Sequence, residues 1–371
     1  MTEPSNNQLD PYLLAPLDLE EQSIRLVELL PSDKQDIKCR LRSYSSGPDR
    51  PPYIALSYMW DHISPKDPVE INGAVFDVGH SLWTFLTEMQ RRGNCSVLYW
   101  IDAICINQAN IKERNHQVQM MKDIYTNADS VSIWLGEADE DGFSDIAMDY
   151  MANLELEYGD QRRLPVCDLK TGRALRKFCF NPYWSRMWII QEVAVAKEVT
   201  ISFGTKDVDF FRFAEFNRSI YLFGKGGFST EYPVPDLIGG SSGNPSYKIY
   251  SQRILWQHDV PRSWISLLST FEFHEVADFR DRVFALRGLV KNGVDLMVDY
   301  TISREALVKQ VILQHYRSEP THPIELPPNI LRFGGWLADL FGTAYDKEAL
   351  KQCIDADWSR VLDWSAVAKA A

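Results

Sequence analysis

The residue with the clearest chemical potential is Glu192, a carboxylate inside the apolar segment of residues 184–204, WSRMWIIQEVAVAKEVTISFG. The segment is apolar nearly all round for about three helical turns, which predicts a buried helix, and then it alternates like a strand. Trp188 lies four residues before Glu192 and therefore on the same helical face. A carboxylate is rarely buried unless it forms an ion pair or takes part in the function of the protein. Glu192 therefore has either a structural or a functional role.

Two interpretations of Glu192 are open from the residues alone. In the structural one, its carboxylate forms a salt bridge with an arginine such as Arg186 or Arg114. In the functional one, it faces a cleft floored by Trp188 and Tyr58, where apolar surroundings raise its pKa. Because buried acids are more often paired than catalytic, the residues alone favour the structural interpretation.

A single carboxylate in an aromatic cleft suits one reaction well, the cleavage of an N-glycosidic bond whose base is already cationic, as in NAD. Nicotinamide leaves as a neutral molecule, so no acid is needed to protonate it, and the developing positive charge lies on the ribose. A carboxylate stabilises this oxocarbenium ion or traps it covalently, as one of the two acids does in O-glycosidases. Aromatic faces stack on nicotinamide or adenine. Glu192 is therefore a candidate for this chemistry.

A second group of polar residues follows the strand-like run at residues 97–101. In WIDAICINQ, Asp102 comes directly after this run, and Arg114 lies on the apolar stripe of the next predicted helix. An unpaired cation there would be costly, so the simplest expectation is an ion pair between Asp102 and Arg114. That pair either fixes the loop to the helix or contacts a ligand. Asn107 and Gln108 either cap the helix start or hydrogen-bond an amide or a ribose.

A third group ends the strand-like run YIALSY at residues 53–58. Ser57 and Tyr58 stand where the end of a strand presents side chains to a ligand, and Trp60 follows them. The alternative is that Tyr58 and Trp60 only cover the core, as large aromatic residues usually do. The residues alone favour this alternative.

The three groups lie in a pattern that predicts an α/β fold. Strand-like runs alternate with amphipathic helical patterns, which is typical of parallel βαβ units with helices on both faces. In such sheets ligands bind at the carboxyl ends of the strands, and that rule points to residues 57–60, residues 102–108 and Gly136. The predicted strands are residues 23–30, 37–44, 53–58, 97–101, 130–135 and 199–203, and the first two could pair as a hairpin. The predicted helices are residues 81–92, 109–128, 144–158, 263–273 and 281–289, and Asn181 with Pro182 predicts a further helix start.

Composition and charge argue against several classes of protein. With 371 residues the chain is long enough for two domains, or for one domain with a large extension. Its formal net charge of -12 argues against nucleic acid or an anionic membrane as the main partner. No run approaches the apolar length of a membrane span, and the acidic N-terminus lacks the pattern of a secretion signal. The six cysteines form no CxxC pair and no Cys/His cluster has metal-ligand spacing, so we expect reduced cysteines, no bound metal and a cytoplasmic protein.

We expect three parts along the chain. Residues 1–22 are an N-terminal tail, residues 23–215 form the α/β domain with an insertion near residues 137–177, and residues 216–371 form a mostly helical extension packed on that domain. Residues 224–246 are rich in Gly, Ser and Pro, which predicts a flexible loop or linker. The extension lacks a second self-sufficient apolar pattern, and this favours packing on the domain over independent folding.

Taken in chain order, the three groups resemble the fungal heterokaryon-incompatibility (HET) domain. The family's ALSYxWG strand end stands here as ALSYMWD, and its WLG strand as IWLG. Its WIDxxCINQ block with ERxxQVxxMxxIYxxA stands as WIDAICINQ with ERNHQVQMMKDIYTNA, and its NPWWxRxWxxQE as NPYWSRMWIIQE. Residues 278–300 resemble its RDxxxAxxGL…DY tail, so the resemblance covers roughly residues 23–304. One departure is Asp61, which replaces the family's glycine and tolerates a positive φ less readily.

The HET domain in turn resembles TIR domains, whose fold is a flavodoxin-like parallel sheet. Many TIR domains hydrolyse NAD with a glutamate in a Trp-x-x-x-Glu pattern on a helix, and Trp188 and Glu192 have that spacing. The resemblance implies a TIR-like three-layer parallel sheet with helices on both faces, and Glu192 as the catalytic carboxylate. The residues that it implies for nucleotide binding are Ser57, Tyr58, Trp60, Asp102, Cys105, Asn107, Gln108, Arg114, Arg186 and Trp188.

The same resemblance implies a biological role. It predicts an effector of heterokaryon incompatibility and programmed cell death in fungal innate immunity, which hydrolyses NAD as its substrate and has no permanently bound cofactor. Because TIR domains usually act as assemblies, it also predicts self-association and a protein activator. A second class fits the same motifs, namely a non-catalytic signalling module that triggers death by oligomerisation or partner binding. A third is a nucleoside or nucleotide glycosylase or transferase that acts on something other than NAD.

Overall fold

A computed structural model describes residues 10–32, 36–47, 50–60, 66–154, 167–223, 243–291, 293–318 and 328–343. Contacts divide the chain into two compact units, Met1–Val260 and Pro261–Ala371. The first unit holds a nine-stranded mixed sheet with helices, and the regular elements described in the second are helices. The α/β class with a helical C-terminal region is therefore confirmed. Among the residues described, no helix is both long and apolar enough to cross a membrane.

The sheet of the first unit has the strand order β5-β4-β2-β1-β6-β3-β7-β8-β9. Its strands are β1 (Ile24–Leu30), β2 (Lys38–Tyr44), β3 (Ile54–Tyr58), β4 (Lys66–Ile71), β5 (Ala74–Gly79), β6 (Leu98–Trp100), β7 (Ser130–Trp134), β8 (Val199–Phe203) and β9 (Lys206–Asp209). Strands β6, β3, β7 and β8 are parallel neighbours, and β2 is parallel to β4. The other neighbouring pairs are antiparallel.

The expectation of a parallel sheet holds for only part of this sheet, which is mixed. Short connections join β1 to β2, β4 to β5 and β8 to β9, and each of these pairs is antiparallel. A parallel pair needs a crossover of about a dozen residues or more, and these connections are too short for one. The predicted hairpin of β1 and β2 is confirmed, with Ile24 opposite Tyr44 and Leu30 opposite Lys38.

The β4–β5 hairpin was not among the predicted strands, although its turn has a strong signal. Asn72 and Gly73 form the turn with φ angles of 52° and 82°. Positive φ at both central residues is typical of the two-residue turns that match the twist of a hairpin. Asn72 also joins the hairpin to β2, because its side chain accepts the N–H of Leu41 at 2.9 Å and donates to the carbonyl of Leu41 at 3.0 Å.

Nine helices are described in the first unit. They are α1 (Pro11–Leu14), α2 (His80–Arg91), α3 (Asp102–Cys105), α4 (Ile111–Asn127), α5 (Phe143–Ala152), α6 (Leu169–Cys179), α7 (Ile189–Ala194), α8 (Phe210–Phe223) and α9 (Pro245–Gln257). Helices α2 and α4 coincide with predicted helices. Helix α5 ends at Ala152, before the end of the helix predicted at residues 144–158, of which residues 155–158 lie outside the described residues. Asn110 begins α4 because its side chain accepts the N–H groups of Lys112 and Glu113.

Helix α9 begins within the segment that was predicted as a flexible loop. Residues 224–242 of that segment lie outside the described residues. Asn244 accepts the N–H groups of Ser246 at 3.0 Å and Tyr247 at 3.4 Å, and Pro245 occupies the first helical position. An asparagine cap followed by proline is a strong helix start, which explains why the helix begins here.

The apolar segment around Glu192 does not form one helix of three turns. A 3-10 helix (Pro182–Ser185) begins after Asn181, whose side chain accepts the N–H of Tyr183 at 2.9 Å. The start at Asn181 is therefore confirmed, but the length is wrong, because the backbone of Arg186 leaves the helical region with φ −75° and ψ 140°. Helix α7 then begins after Trp188. The N–H of Glu192 donates to the carbonyl of Trp188 at 3.3 Å, so these two residues still span one helical turn.

The regular elements described in the second unit are four α-helices and two 3-10 helices. They are α10 (Trp264–Thr270), α11 (Asp281–Phe284), two 3-10 helices (Arg287–Leu289 and Gly293–Asp295), α12 (Arg304–Ser318) and α13 (Pro328–Phe341). Helix α10 begins with a capping box in which Ser263 and Ser266 accept each other's backbone N–H groups. The predicted helix at residues 281–289 is divided into α11 and the first 3-10 helix. The packing of this region on the α/β domain stays a prediction.

Candidate functional site

The carboxyl ends of β3 and β6 lie side by side at one edge of the sheet. These strands are parallel, with Ala55 paired to Trp100, so the residues that follow them meet at the same edge. Trp60, which follows β3, donates its indole N–H to the carboxylate of Asp102, which follows β6, at 3.0 and 2.9 Å. Two of the groups found in the sequence are therefore in contact.

The carboxylate of Asp102 is held by several donors. Its Oδ1 also accepts the N–H of Ala103 at 2.7 Å, at the start of α3. Burial raises the pKa of Asp102, while the charge of Arg186 and hydrogen bonds from Trp60, Ala103 and the hydroxyl of Tyr58 oppose that rise. The predicted ion pair between Asp102 and Arg114 is wrong, because these other groups take the positions around the carboxylate.

Glu192 lies on α7 with 1% of its surface exposed. Its Oε2 accepts a hydrogen bond from the hydroxyl of Ser57, the penultimate residue of β3. The Oγ of Ser57 lies 2.7 Å from the Oη of Tyr183, and both side chains are fully buried. Because the single proton of Ser57 is given to Glu192, Tyr183 donates to Ser57. A chain of two hydroxyl groups therefore ends on the Glu192 carboxylate.

Burial raises the pKa of Glu192 to about 7 from its ordinary value of 4.5. The positive charge of Arg186 lowers the pKa, the negative charge of Asp102 raises it, and the hydroxyl groups of Ser57 and Tyr125 lower it. At neutral pH both the ionised and the protonated form are therefore populated. A pKa near the working pH is typical of groups that take part in catalysis.

Arg186 is the cation that acts on this edge of the sheet. It is half-buried, and its charge lowers the pKa values of both Glu192 and Asp102. Within the described ranges its guanidinium donates no hydrogen bond and forms no ion pair. The salt bridge of the structural interpretation is therefore not formed between Arg186 and Glu192. The guanidinium retains its capacity to bind an anion.

The end of α3 and the loop that follows it contain three more of the residues implied by the resemblance. Cys105 is buried, and burial raises the pKa of its thiol to about 12, which removes it as a nucleophile at neutral pH. The side chain of Asn107 accepts the N–H of Ala109 at 3.2 Å. Gln108 donates to the carbonyl of Asp102 at 3.1 Å. The side chains of Asn107 and Gln108 therefore form contacts that shape the loop.

The same loop is fixed by a buried ion pair that was not predicted. Arg25 of β1 binds both carboxylate oxygens of Glu113, with Nη1 to Oε1 at 2.5 Å and Nη2 to Oε2 at 3.1 Å. Arg25 also donates to the carbonyl of Cys105 at 3.0 Å, and the N–H of Asn107 donates to Glu113 at 2.6 Å. Arg25 and Glu113 are 88 positions apart in the sequence, so no local sequence pattern predicts their ion pair.

Tyr183 and Tyr125 were also missed as members of the site. Tyr183 is the first aromatic residue of the NPYW motif, and this motif was the signal for it in the sequence. Tyr125 lies on the predicted stripe of α4, and its hydroxyl lies 3.0 Å from the carbonyl oxygen of Leu56 and within hydrogen-bond reach of Glu192. Asp61, the departure from the family pattern, lies outside the described residues. In the part of the chain that is described, no three His, Cys, Asp or Glu side chains form a group that could hold a metal ion.

The fold and the site define an α/β domain with a buried carboxyl group at the edge where its parallel strands end. Residues 53–192 match the family model described as heterokaryon incompatibility protein (HET), and the match ends at Glu192. The chain therefore contains a stretch that is similar to the HET family. It is also similar to heterokaryon incompatibility protein 6, OR allele, of Neurospora crassa, with 34% identity over 152 residues.

The similarity to the Neurospora protein covers 37% of this chain and 22% of that protein, so the chain spans about a fifth of its relative's length. No solved structure matches the chain.

Proposed function

We propose that this chain is an effector of fungal heterokaryon incompatibility and programmed cell death that cleaves the bond between nicotinamide and ribose in NAD. The observation that carries the proposal is the state of Glu192. Its carboxyl group is buried, its pKa is raised to about 7, and its hydrogen-bond partner is the hydroxyl of Ser57 rather than an arginine. A buried acid without a salt bridge costs stability, and this cost is typical of a functional group.

The reaction needs Glu192 in its ionised form. As the bond breaks, the electron pair goes to nicotinamide, which leaves neutral, and positive charge develops on the ribose next to the carboxylate. The buried carboxylate stabilises that charge strongly because little water screens it. Water then attacks the anomeric carbon and loses a proton, and ADP-ribose is formed. The hydroxyl groups of Ser57 and Tyr183 hold the carboxylate in one orientation.

The remaining residues of the edge suit the other parts of NAD. The guanidinium of Arg186 would bind the pyrophosphate, since a planar arginine fork matches phosphate oxygens well. Trp60 and Trp188 are half-buried and would offer ring faces for stacking on a base. Asp102 orients the indole of Trp60 through the hydrogen bonds described above. The parallel set β6-β3-β7-β8 and the one-turn spacing of Trp188 and Glu192 support a TIR-like arrangement.

The test is release of nicotinamide from NAD by the purified full chain, with Glu192→Gln as the variant. We expect a loss of at least about 100-fold, because the variant removes the charge that stabilises the transition state. Glu70→Gln is the control, since Glu70 pairs with Lys38 on the surface. Activity should rise as the pH passes through about 7, where Glu192 ionises. Full activity of Glu192→Gln would overturn the assignment.

The non-catalytic signalling module is the second candidate, and one observation favours it. Ser57 and Glu192 have 0% and 1% of their surface exposed, so a substrate reaches the carboxylate only after a local opening. In that case the wild-type protein releases no nicotinamide, even at high concentration or with crowding agents. Glu192→Gln would then trigger cell death as well as the wild type does when it is expressed in the same host. Loss of killing in the variant would exclude the module.

A further inference from the structure

Arg253 is a buried cation on α9, outside the region that matches the HET family model. It has 2% of its surface exposed. Its Nη1 donates to the carbonyl oxygens of Val193 at 2.7 Å and Ala196 at 2.6 Å, and its Nη2 donates to that of Lys197 at 3.0 Å. These three carbonyl groups belong to the end of α7 and to the connection from α7 to β8. Arg253 therefore binds the segment that directly follows Glu192.

The end of α7 needs such a partner. The last carbonyl groups of a helix have no N–H partner within the helix, and they carry its partial negative charge. Helix α7 has six residues, so it has few internal hydrogen bonds to hold its position. A guanidinium satisfies several of these carbonyl oxygens at once because its donors are arranged in a rigid fork.

The burial of Arg253 carries a desolvation cost that a solvent-exposed helix cap does not carry. Desolvation lowers its pKa to about 10, with the charge of Glu198 acting in the opposite direction. The ring of Phe210 covers the guanidinium, with the Cζ atom 4.6 Å from the ring centroid. Helices usually end with glycine or with a solvated basic side chain, which carries no desolvation penalty. A buried arginine instead fixes the end of α7 relative to α9.

We propose that Arg253 is a positioning residue for Glu192, which holds α7 so that the carboxyl group meets the hydroxyl of Ser57. The carbonyl of Val193, one residue after Glu192, is one of its acceptors, so movement of Arg253 is transmitted to Glu192 through one peptide unit. The proposal rests on the proposed role of Glu192 in the site. It extends the functional domain through α9, so that residues 53–192 alone do not form a working site.

The test measures the titration of Glu192 directly. Full-length protein is labelled with ¹³C at the glutamate carboxyl carbon, and Glu192→Gln identifies the signal. In the wild type we expect a pKa of about 7. In Arg253→Met, α7 loosens, water reaches the carboxylate, and the pKa falls by about one unit or more toward 4.5. Arg253→Lys retains a charge with fewer matched donors and gives a smaller fall.

Arg262→Met is the matched control. Arg262 belongs to the second unit, donates to the carbonyl of Ser266 at 3.3 Å and the hydroxyl of Thr270 at 3.1 Å, and has a pKa that burial lowers. Its loss should leave the titration of Glu192 unchanged. A residue that only stabilises the fold would lower the unfolding midpoint without moving that titration.

A folded Arg253→Met protein with the wild-type titration of Glu192 would overturn the proposal. If that variant does not fold, an unchanged titration in Arg253→Lys overturns it equally. The two proposals fail separately. A shifted titration in a protein whose wild type releases no nicotinamide sustains the positioning role and contradicts NAD cleavage. If the wild type releases nicotinamide and Arg253→Met leaves the titration of Glu192 unchanged, NAD cleavage is supported and the positioning role is contradicted.

Discussion

Glu113 and Glu192 are both buried on helices of the first unit, and their surroundings differ. Glu113 has 5% of its surface exposed, and Glu192 has 1%. Glu113 is held by both ends of the Arg25 guanidinium and by the N–H of Asn107. Glu192 is held by the hydroxyl of Ser57, and no salt bridge to it is seen among the residues that the structure describes. Glu113 is paired with a cation in direct contact, whereas at Glu192 the effect of burial outweighs the charge of Arg186, which forms no salt bridge with it.

The difference separates an architectural acid from a candidate functional one. A bidentate arginine compensates for the loss of water around a buried carboxylate and makes the pair a fixed part of the loop. A hydroxyl group donates a hydrogen bond but no charge, so the ionised form of Glu192 stays costly and its pKa is raised to about 7. The two sites therefore respond in opposite ways when their carboxyl groups are replaced by amides.

Glu113→Gln should give the largest effect on stability. The substitution leaves the buried guanidinium of Arg25 without its counter-charge, and loss of one partner of a buried pair costs about 3 kcal/mol or more of unfolding free energy. Urea denaturation at pH 7 measures it. The control is Glu70→Gln, because Glu70 and Lys38 form a pair whose side chains are each 42% exposed, and its expected effect is within about 0.5 kcal/mol. Equal effects of the two substitutions would contradict the architectural role.

Glu192→Gln should instead stabilise the protein, and only at higher pH. The native state binds the proton of Glu192 more tightly than the unfolded chain does, since burial raises its pKa from 4.5 to about 7. The wild type therefore loses the part of its stability that comes from this proton as the pH rises from 4.5 to about 7. The amide avoids that loss, which amounts to about 3 kcal/mol above pH 7.

Urea denaturation of wild type and Glu192→Gln at pH 5 and pH 8 measures this gain. We expect a small difference at pH 5 and a higher midpoint for the variant at pH 8. If the midpoints of the wild type and Glu192→Gln differ by the same amount at pH 5 and pH 8, the native and unfolded states bind the proton of Glu192 equally. That result would contradict the comparison with Glu113.

Ser57→Ala should have the smallest effect on stability and a clear effect on titration. The variant removes the donor to Glu192 and the acceptor of Tyr183, which costs about 1–2 kcal/mol. Because the lost hydrogen bond favours the ionised form, the pKa of Glu192 should rise further, as followed by ¹³C NMR. Ser132→Ala is the control, since Ser132 lies opposite Leu56 on the neighbouring strand β7. An unchanged pKa in Ser57→Ala would remove Ser57 from the site.

Local patterns were sufficient for many of the elements. Strand β3 was predicted from a short apolar run after two prolines, and four of its five residues are buried, as expected for a strand inside a parallel set. Helices α2 and α4 were predicted from the spacing of their apolar residues. The β4–β5 hairpin was not predicted, although Asn72 and Gly73 are a local signal for its turn.

The charge pairing could not be predicted in the same way. Arg114 was the expected partner of Asp102 because it is near in sequence and lies on the apolar stripe of α4. The structure gives Asp102 the indole of Trp60 instead, and it brings Arg25 to Glu113. Which cation meets which carboxylate depends on the order of strands in the sheet, and β1 reaches this place because it lies next to β6.

The sequence by itself determined the α/β class, the strand ends that carry Ser57, Trp60 and Asp102, and the burial of Glu192, because periodicity and composition are local properties of the chain. Only the tertiary structure decided what Glu192 contacts. Arg186 interrupts the helical segment before Glu192. The hydroxyl chain from Tyr183 through Ser57 and the binding of α7 by Arg253 join residues from separate elements. Packing fixes such contacts, because the free energy of a buried charge depends on every group that surrounds it in space.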